Sequence, residues 1–315
     1  MTEAHELSTS REKQRTLAKS VSISGIGLFT GTKSTLTMRP APEDTGIYVQ
    51  RTDLMQKPLL KASVEYVHGT PRCTILGNKF VSVQTVEHVL AAIRAYEIDN
   101  LVIEIDGPEV PSCDGSAAPF VEMIESVGIR IQDKTKFVRR LYEPIFWSKG
   151  DVHLVALPAD EFRISYTLSY PNSAMLKAQF YSFVVSDVAF KQEIAPARTF
   201  ALYEEIVPLI EKGQIKGGNL ENAVIIKDDA VINPDGVRFP DEMARHKILD
   251  LIGDLSLVGV PFLAHIIAIR SGHFSNTSLA RELTAYFRKW GSLDHDIRHS
   301  SHQKDFTTQI SISAC

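Results

Sequence analysis

Residues 242–254 read EMARHKILDLIGD, and this stretch decides how the second half of the chain folds. His246, Asp250 and Asp254 follow one another at intervals of four residues, and leucine and isoleucine fill most positions between them. On a helix this spacing places the three polar side chains in one stripe and leaves the remaining surface apolar. A helix that is apolar nearly all round is typical of a buried element. We therefore predict a buried helix over 243–257.

The polar stripe on this predicted helix has two interpretations. Buried charges are costly unless they pair or bind a metal ion. His246 and Asp250, one turn apart, offer one nitrogen and one oxygen ligand, which is half of a zinc site. The alternative is an ordinary His–Asp pair on a solvated helix face, and the stripe alone does not decide between them.

Glu87 and His88 lie in the first turn of a second apolar helix, which the sequence predicts over 86–96. Glutamate is favoured in a first turn by the helix dipole, so Glu87 has a simple electrostatic explanation. The alternative makes His88 a third metal ligand and Glu87 a general base for water, since catalytic zinc sites have three protein ligands and an open position. The chain has no HExxH motif, which excludes the zincin proteases.

Two further polar residues border predicted elements. His273 follows an apolar strand predicted over 265–270, where it is either a loop-borne catalytic histidine or a residue that satisfies loop carbonyls. Thr199 precedes a helix predicted over 201–212, where it either caps the helix or donates a hydrogen bond to an oxyanion. Each residue taken alone favours the structural interpretation.

The composition indicates a soluble globular protein. The chain is 44% hydrophobic and 23% charged, and its formal net charge of −4 argues against broad nucleic-acid binding. No apolar run reaches the roughly 18–20 residues that span a bilayer, and the polar N-terminus resembles neither a signal peptide nor a transit peptide. Three cysteines without CxxC spacing argue against a disulfide framework or a thiolate zinc site. We expect a cytoplasmic protein.

A length of 315 residues suggests two domains. The charged stretch 132–136 is predicted to link domains at 14–133 and 137–291, with polar tails at 1–13 and 292–315. Strands and helices mix in each half without regular βαβ alternation, which favours an α+β fold over a doubly wound sheet. The other predicted elements are strands over 21–24, 34–38, 101–105, 137–141, 152–157 and 162–168, and helices over 118–127 and 277–289. Four histidines lie near the termini, namely His5, His295, His299 and His302, and the last three are interpreted as solvated residues or binders of stray metal.

Most of the chain, from about Arg15 to about Leu283, carries short motifs in one order. Together they resemble the zinc-dependent UDP-3-O-acyl-N-acetylglucosamine deacetylases of bacterial lipid A synthesis. Each motif is modest alone, but the ordered set is specific. The motifs are RTL (15–17), GIGL (25–28), TG (30–31), RPAP (39–42), TVEH (85–88), IDNL (98–101), DGSA (114–117), ARTF (197–200), HKILD (246–250) and SGH (271–273).

The resemblance implies two similar α+β domains, each a β-sheet layered on α-helices, with the active site between them. It implies Zn²⁺ as the cofactor and a small β-α-β insert, here at about 213–238, that builds a tunnel for an acyl chain. The resemblance implies that zinc is bound by His88, His246 and Asp250. Glu87 would be the general base that activates water, and His273 would be the general acid, with Asp254 supporting its imidazolium. Thr199 would stabilise the oxyanion.

Substrate contacts follow from the same resemblance. Lys247 and Arg270 would face a diphosphate, and Tyr170 falls near an aromatic residue that stacks on uracil. Phe200 and Cys73 would also contact the substrate.

The activity that the resemblance implies is hydrolysis of the N-acetyl group of UDP-3-O-[(3R)-3-hydroxyacyl]-N-acetylglucosamine. The products are UDP-3-O-acyl-glucosamine and acetate, and the reaction is the committed step of lipid A biosynthesis. The implied partners are the UDP-linked acylated glucosamine and water. We expect a monomer without nucleic acid or a transmembrane segment, and peripheral membrane contact stays open.

Two residues depart from the family pattern. Phe29 stands where the family often has histidine, and Arg72 before Cys73 is unusual. Two alternatives therefore stay open. One is a related zinc amidohydrolase with an altered substrate, and the other is a non-catalytic sugar-nucleotide or lipid-binding protein.

Overall fold

A computed structural model describes residues 11–171, 173–176 and 178–289 of the chain. Residues 11–13 were predicted to be part of a tail, but they begin the first strand. The rest of both predicted tails lies outside the described residues, together with His5, His295, His299 and His302.

The described part of the chain contains mixed helices and strands, which confirms the α+β prediction. The helices are α1 (Glu87–Ala95), α2 (Ala118–Val127), the short α3 (Asp187–Ala189), α4 (Tyr203–Glu211), α5 (Glu242–Ser256) and α6, which is helical over 273–289. A 3₁₀ turn covers Val64–Tyr66, and a π-helical turn covers Phe190–Ile194.

The strands divide between the two halves of the sequence. Those of the first half are β1 (Arg11–Leu17), β2 (Val21–Ile26), β3 (Lys33–Pro40), β4 (Ile47–Arg51), β5 (Leu59–Lys61), β6 (Val67–Gly69), β7 (Ile75–Gly77), β8 (Ser82–Gln84), β9 (Leu101–Ile105) and β10 (Ile129–Phe137). Those of the second half are β11 (Arg139–Arg140), β12 (Ile145–Lys149), β13 (Val152–Leu157), β14 (Phe162–Leu168), β15 (Gln179–Val184), β16 (Phe200–Leu202), β17 (Val224–Lys227), β18 (Ala230–Val231) and β19 (Phe262–Ile269).

The two large sheets share one topology. The first has the strand order β2-β3-β9-β4-β5, and the second has β12-β13-β19-β14-β15, with β11 paired to β19. In each sheet the last strand in sequence lies at the centre, antiparallel to one neighbour and parallel to the other. The two halves therefore repeat a sheet architecture that no sequence repeat between them indicates.

Helices α1 and α5 bring the two halves together at the centre of the molecule. Helix α1 packs against α5, and α5 also contacts β14 and β15 of the second sheet. Nearly every side chain of α1, including Glu87 and His88, is buried. The buried apolar residues of both sheets and both helices form one continuous cluster. A charged or polar group at the α1–α5 contact is consequently shielded from water.

The predicted linker over 132–136 is wrong. These residues lie inside β10, which pairs antiparallel with β1. Gln132 and Lys136 are buried, and the Lys136 ammonium binds the Asp99 carboxylate at 3.1 Å. A ribbon of two strands satisfies its backbone while most of its charged side chains remain in water, so the hydrophobic alternation that identifies strands is missing. The division of the chain at 133 and 137 stays a prediction.

Most predicted elements agree with the structure. The predicted strands over 101–105, 152–157 and 162–168 and the helix over 118–127 match β9, β13, β14 and α2. The β-α-β unit, in which β16 and β17 are parallel and α4 lies between them, begins at Phe200 and ends at Lys227. It therefore starts before the predicted insert at 213–238. None of the described helices combines the length and the apolar character needed to cross a lipid bilayer.

Candidate metal centre and active site

The structure brings His88 of α1 together with His246 and Asp250 of α5. Their ligand atoms all lie within 4.8 Å of one another, and all three side chains are buried. The Asp250 Oδ1 atom lies 3.4 Å from His246 Nε2 and 3.5 Å from His88 Nε2. Among the described residues this buried oxygen has no hydrogen-bond partner. A buried polar atom without a partner is costly, so its position between two imidazole nitrogens fits a bound cation.

The chemistry of these side chains also fits a metal ion. His246 donates a hydrogen bond from Nδ1 to the Ala197 carbonyl at 3.0 Å, which leaves Nε2 as the free ligand atom. Burial lowers the pKa of His246 to about 3, so its imidazole is neutral. Burial acts to raise the pKa of Asp250, but the adjacent Lys247 ammonium outweighs it and holds that pKa well below its usual value. Two imidazoles and one carboxylate are a suitable donor set for zinc.

Glu87 precedes His88 and lies at the edge of this cluster. Its side chain is 2% exposed, and its Oε2 atom accepts a hydrogen bond from the Thr74 backbone N–H at 2.9 Å. Burial raises the pKa of Glu87 against the opposing effect of His273 and His88. Glu87, Asp250 and His273 also form a second group of potential metal ligands. A desolvated carboxylate of this kind is a candidate proton acceptor.

His273 lies opposite Glu87, with its Nε2 atom 3.7 Å from Glu87 Oε1. Its Nδ1 atom donates a hydrogen bond to Asp254 Oδ2 at 2.9 Å. Burial opposes protonation of His273, but the carboxylates of Asp254, Glu87 and Asp250 outweigh it and raise its pKa to about 9. The expectation of a loop-borne histidine is wrong, because His273 is in the first turn of α6.

A cavity of about 1030 Å³ opens above these groups. Lys247 lies on its wall, donates a hydrogen bond to Asp250 Oδ2, and has a raised pKa because that carboxylate outweighs the effect of burial. Arg270 is exposed, with Nη1 3.6 Å from Asp151 Oδ2. The wall also includes Tyr170 and Phe200, whose ring centroids are 6.2 Å apart. The cavity thus combines cationic and aromatic walls near the cluster of His88, His246 and Asp250.

The remaining predicted site residues differ in their access to the cavity. Thr199 lines it and precedes β16, three residues before the N-cap of α4 at Leu202, so the interpretation of Thr199 as a helix cap is wrong. Cys73 is 1% exposed and is absent from the described wall residues. Burial raises the pKa of its thiol above the ordinary value. In this conformation Cys73 therefore does not face the cavity.

Several residues that organise the site have no role that a sequence pattern predicts. Thr74 and Asn276 bind the Asp254 carboxylate. Glu109, fully buried, accepts a hydrogen bond at 3.0 Å from Thr85 Oγ1, and Thr85 has a φ of 61° just before α1. A β-branched residue in that region is strained, so Glu109 fixes how the chain enters α1. Gly253, also on α5, carries a local sequence signal, because a glycine in the middle of a helix usually has a packing or functional reason.

The arrangement is typical of a hydrolase with a metal centre. Three buried side chains that can hold a metal ion lie beside a carboxylate and a histidine on the wall of a large cavity, and such a set can supply a Lewis-acid position, a proton acceptor and a proton donor. This class includes several unrelated families, and the sequence comparisons distinguish among them.

Residues 14–285 match the family described as LpxC: UDP-3-O-acyl N-acetylglycosamine deacetylase. The curated UDP-3-O-acyl-N-acetylglucosamine deacetylase of Chlamydia abortus is 47% identical over 270 residues, which are 86% of this chain and 96% of the relative. The enzyme of the same name from Chlamydia pneumoniae is 47% identical over 271 residues, again 86% of this chain and 96% of the relative. That from Chlamydia trachomatis serovar L2 is 46% identical over 270 residues, 86% of this chain and 94% of the relative. The chain belongs to the LpxC family of UDP-3-O-acyl N-acetylglycosamine deacetylases.

Proposed function

We propose that this chain removes the N-acetyl group from UDP-3-O-[(3R)-3-hydroxyacyl]-N-acetylglucosamine with zinc as its cofactor. The products are UDP-3-O-acyl-glucosamine and acetate, in the committed step of lipid A biosynthesis. Membership of the LpxC family supports the substrate class. The observation that carries the metal-dependent chemistry is the unpaired Asp250 Oδ1 atom between two histidine nitrogens.

His88, His246 and Asp250 would hold the zinc ion. Bound there, zinc would supply Lewis-acid polarisation of the amide carbonyl and a lowered pKa for water. Thr199, which is half-buried in the cavity wall, would donate its hydroxyl to the carbonyl oxygen as negative charge develops. The raised pKa of Glu87 suits it to accept a proton from the attacking water near neutral pH.

His273 would deliver a proton to the nitrogen of the leaving amine. Its raised pKa favours the protonated form that a general acid needs, and Asp254 holds the ring through Nδ1 so that Nε2 faces the reacting centre. Glu87 would thus accept a proton from water on one side of the amide, and His273 would donate a proton to the amine on the other side. General acid–base catalysis of this kind contributes about 10²–10⁴-fold to the rate.

The remaining groups would bind the substrate away from the amide. Lys247 and Arg270 would face the diphosphate, while Tyr170 and Phe200 would contact the nucleoside and sugar. The fatty chain would occupy the part of the cavity lined by apolar residues of α4 and the segment after it, namely Ile206, Ile210, Ile215 and Leu220. Remote binding of this kind holds the amide in position for attack.

We further propose that the protein acts in the cytoplasm as a monomer of two domains, at 14–133 and 137–291, with the site between them. The shared topology of the two large sheets and the contact between α1 and α5 support the division.

An altered acyl preference is a second candidate, since Arg72 lines the cavity and its Nη2 atom lies 3.0 Å from Glu205 Oε2 of α4. This ion pair joins the segment before β7 to the wall that would hold the fatty chain.

The test is acetate release by the purified, zinc-loaded protein from UDP-N-acetylglucosamine carrying no acyl chain or 3-O-acyl chains of graded length. We expect turnover that requires zinc and an acyl chain. Equal rates with acylated and unacylated substrates would refute the fatty-chain assignment, and no acetate release from any of them would refute the deacetylase.

A further inference from the structure

Thr74 is hydrogen-bonded both to Glu87, the proposed general base, and to Asp254, which holds the proposed general acid His273. It is fully buried and immediately precedes β7. Its backbone N–H donates to Glu87 Oε2 at 2.9 Å, and its hydroxyl donates to Asp254 Oδ1 at 2.5 Å. Glu87 belongs to α1 and Asp254 to α5, so one residue is bonded to a carboxylate on each of the two central helices.

The Asp254 carboxylate is held at both oxygens. Thr74 occupies Oδ1, while His273 Nδ1 and Asn276 Nδ2 each donate to Oδ2 at 2.9 Å. The side chain is fully buried, so water cannot replace a lost donor without a local opening. The Thr74 hydroxyl therefore fixes the rotation of the carboxylate, and with it the direction in which Oδ2 meets His273.

The position of His273 depends on this arrangement. Its Nε2 atom lies 3.7 Å from Glu87 Oε1, on the opposite side of the ring from Asp254. A turn of the Asp254 carboxylate would tilt the imidazole and move Nε2 relative to Glu87. Misplacement of a reacting group by about 1 Å can reduce a rate about 10²-fold.

Thr74 itself does not face the substrate cavity in the part of the chain that the structure describes. Its Oγ1 atom is 3.3 Å from His273 Nδ1, but that nitrogen already donates to Asp254. The single hydroxyl proton of Thr74 is thus committed to Asp254. Any effect of this side chain on turnover acts through Asp254 and His273, not through direct contact with the substrate.

We infer that Thr74 is a positioning residue, which sets the geometry of the Glu87–His273 pair through one backbone and one side-chain hydrogen bond. This inference rests on the proposed deacetylase function. The competing interpretation is that Thr74 only fills space in the core beside β7.

Two substitutions of similar size separate these interpretations. Thr74→Val keeps the shape, the β-branch and the backbone N–H bonded to Glu87, but it removes the donor to Asp254. Thr74→Ser keeps the donor and removes a methyl group. We expect Thr74→Val to lower kcat about 10–100-fold, since a buried carboxylate loses a charge-assisted hydrogen bond. KM and zinc content should stay close to those of the unmodified protein, and Thr74→Ser should remain within about threefold in kcat.

A double-mutant comparison tests whether the effect passes through His273. In the His273→Ala background, Thr74→Val should change the residual kcat less than about twofold, because the group that it orients is gone. Equal losses with and without His273, or equal losses for Thr74→Val and Thr74→Ser, would overturn the inference. A kcat of Thr74→Val that matches the unmodified protein would do so as well.

A readout without catalysis separates this inference from the proposed function. The NMR signal of the His273 Nδ1 proton, assigned by its loss in His273→Ala, should shift in Thr74→Val and stay in place in Thr74→Ser. An unchanged signal in Thr74→Val would reject the positioning role even if the protein deacetylates its substrate. A shifted signal in a protein that releases no acetate would retain the geometry and reject the function.

Discussion

Gly253 of α5 lies directly against the backbone of Glu87 at the start of α1. A Cβ atom at Gly253 would lie 2.1 Å from the Glu87 carbonyl oxygen and 2.7 Å from its carbonyl carbon. Glycine in the middle of a helix costs about 1 kcal/mol relative to alanine, so helix propensity does not explain it. The close approach does explain it, because it lets His246 and Asp250 on α5 reach His88 on α1.

Gly253→Ala should therefore reverse the usual helix preference. The methyl group must push α5 away from α1, and we expect a loss of about 1–3 kcal/mol in the free energy of unfolding. Zinc affinity should fall as well, because the proposed ligands are divided between the two helices. Urea denaturation and metal analysis measure both effects. Gly69→Ala is the control, since a Cβ there meets Pro71 at an ordinary 3.5 Å, and a variant at Gly253 as stable as this control would contradict the steric argument.

The fold could be predicted from the sequence wherever one face of an element is apolar. Strands β13 and β14 and helix α2 have such patterns, and their bounds were predicted correctly. Strand β10 was mistaken for a linker because most of its charged side chains remain in water while its backbone pairs with β1. Hydrophobic periodicity reflects which side chains are buried, so it does not identify an element that buries few side chains.

The polar stripe of α5 marked His246, Asp250 and Asp254 in advance, because helical spacing is a local property. The connection between Thr74 and Asp254 joins residues 180 positions apart in the sequence. Only tertiary packing creates such a contact, and a threonine before a short strand has no pattern that indicates it. The resemblance to a known family predicts roles for residues that lie in short sequence motifs. The residues that orient them, such as Thr74, are identified only by their contacts in the structure.

His246→Ala should reduce zinc binding more than any change at a histidine outside the cluster. The imidazole supplies a neutral Nε2 atom that faces Asp250 Oδ1, and alanine leaves that oxygen with one histidine neighbour. We expect the purified variant to retain little zinc and little deacetylase activity. Metal analysis after dialysis, with the exposed His153→Ala as control, measures the difference. Equal zinc content in the two variants would remove His246 from the ligand set.

Glu87→Gln should separate metal binding from turnover. The amide is nearly the same size but cannot accept a proton from water, so kcat should fall about 10²–10⁴-fold while zinc content stays close to that of the unmodified protein. The measurements are acetate release and metal analysis on the same samples, with Glu122→Gln on the exposed face of α2 as the control. Turnover near that of the control would show that another group accepts the proton.

The protonation of His273 predicts how the stability of the metal-free protein depends on pH. Its pKa is about 9 in the folded chain against an ordinary 6.5, chiefly because the charge of Asp254 outweighs burial. A raised folded pKa stabilises the protein fully below pH 6.5, and this contribution is lost as the pH rises through 9. Urea denaturation of metal-free protein between pH 6.5 and pH 9 should show this loss of stability.

Asp254→Asn should lower the pKa of His273, measured by NMR titration, and should make the stability depend less on pH. A His273 titration that this substitution leaves unchanged would assign the raised pKa to another group.

Glu109→Gln should loosen the loop that carries Phe29. The buried Glu109 carboxylate accepts hydrogen bonds from the backbone N–H groups of Phe29 and Thr30, at 2.9 and 2.7 Å, and from the hydroxyls of Thr30 and Thr85. A glutamine amide must direct its own N–H groups at some of these donors, so we expect a loss of about 1–3 kcal/mol in the free energy of unfolding. Urea denaturation measures it against the control Glu104→Gln. The Glu104 carboxylate makes a partly exposed ion pair with Arg39 at 3.4 Å, and such a pair is worth about 0–1 kcal/mol. The same loop contacts the wall that would hold the fatty chain, since the Phe29 carbonyl accepts a hydrogen bond from Lys216 N at 3.1 Å. We therefore expect Glu109→Gln also to raise KM for the longest acyl substrates. A loss of stability no larger than that of Glu104→Gln would show that the loop is held by other contacts.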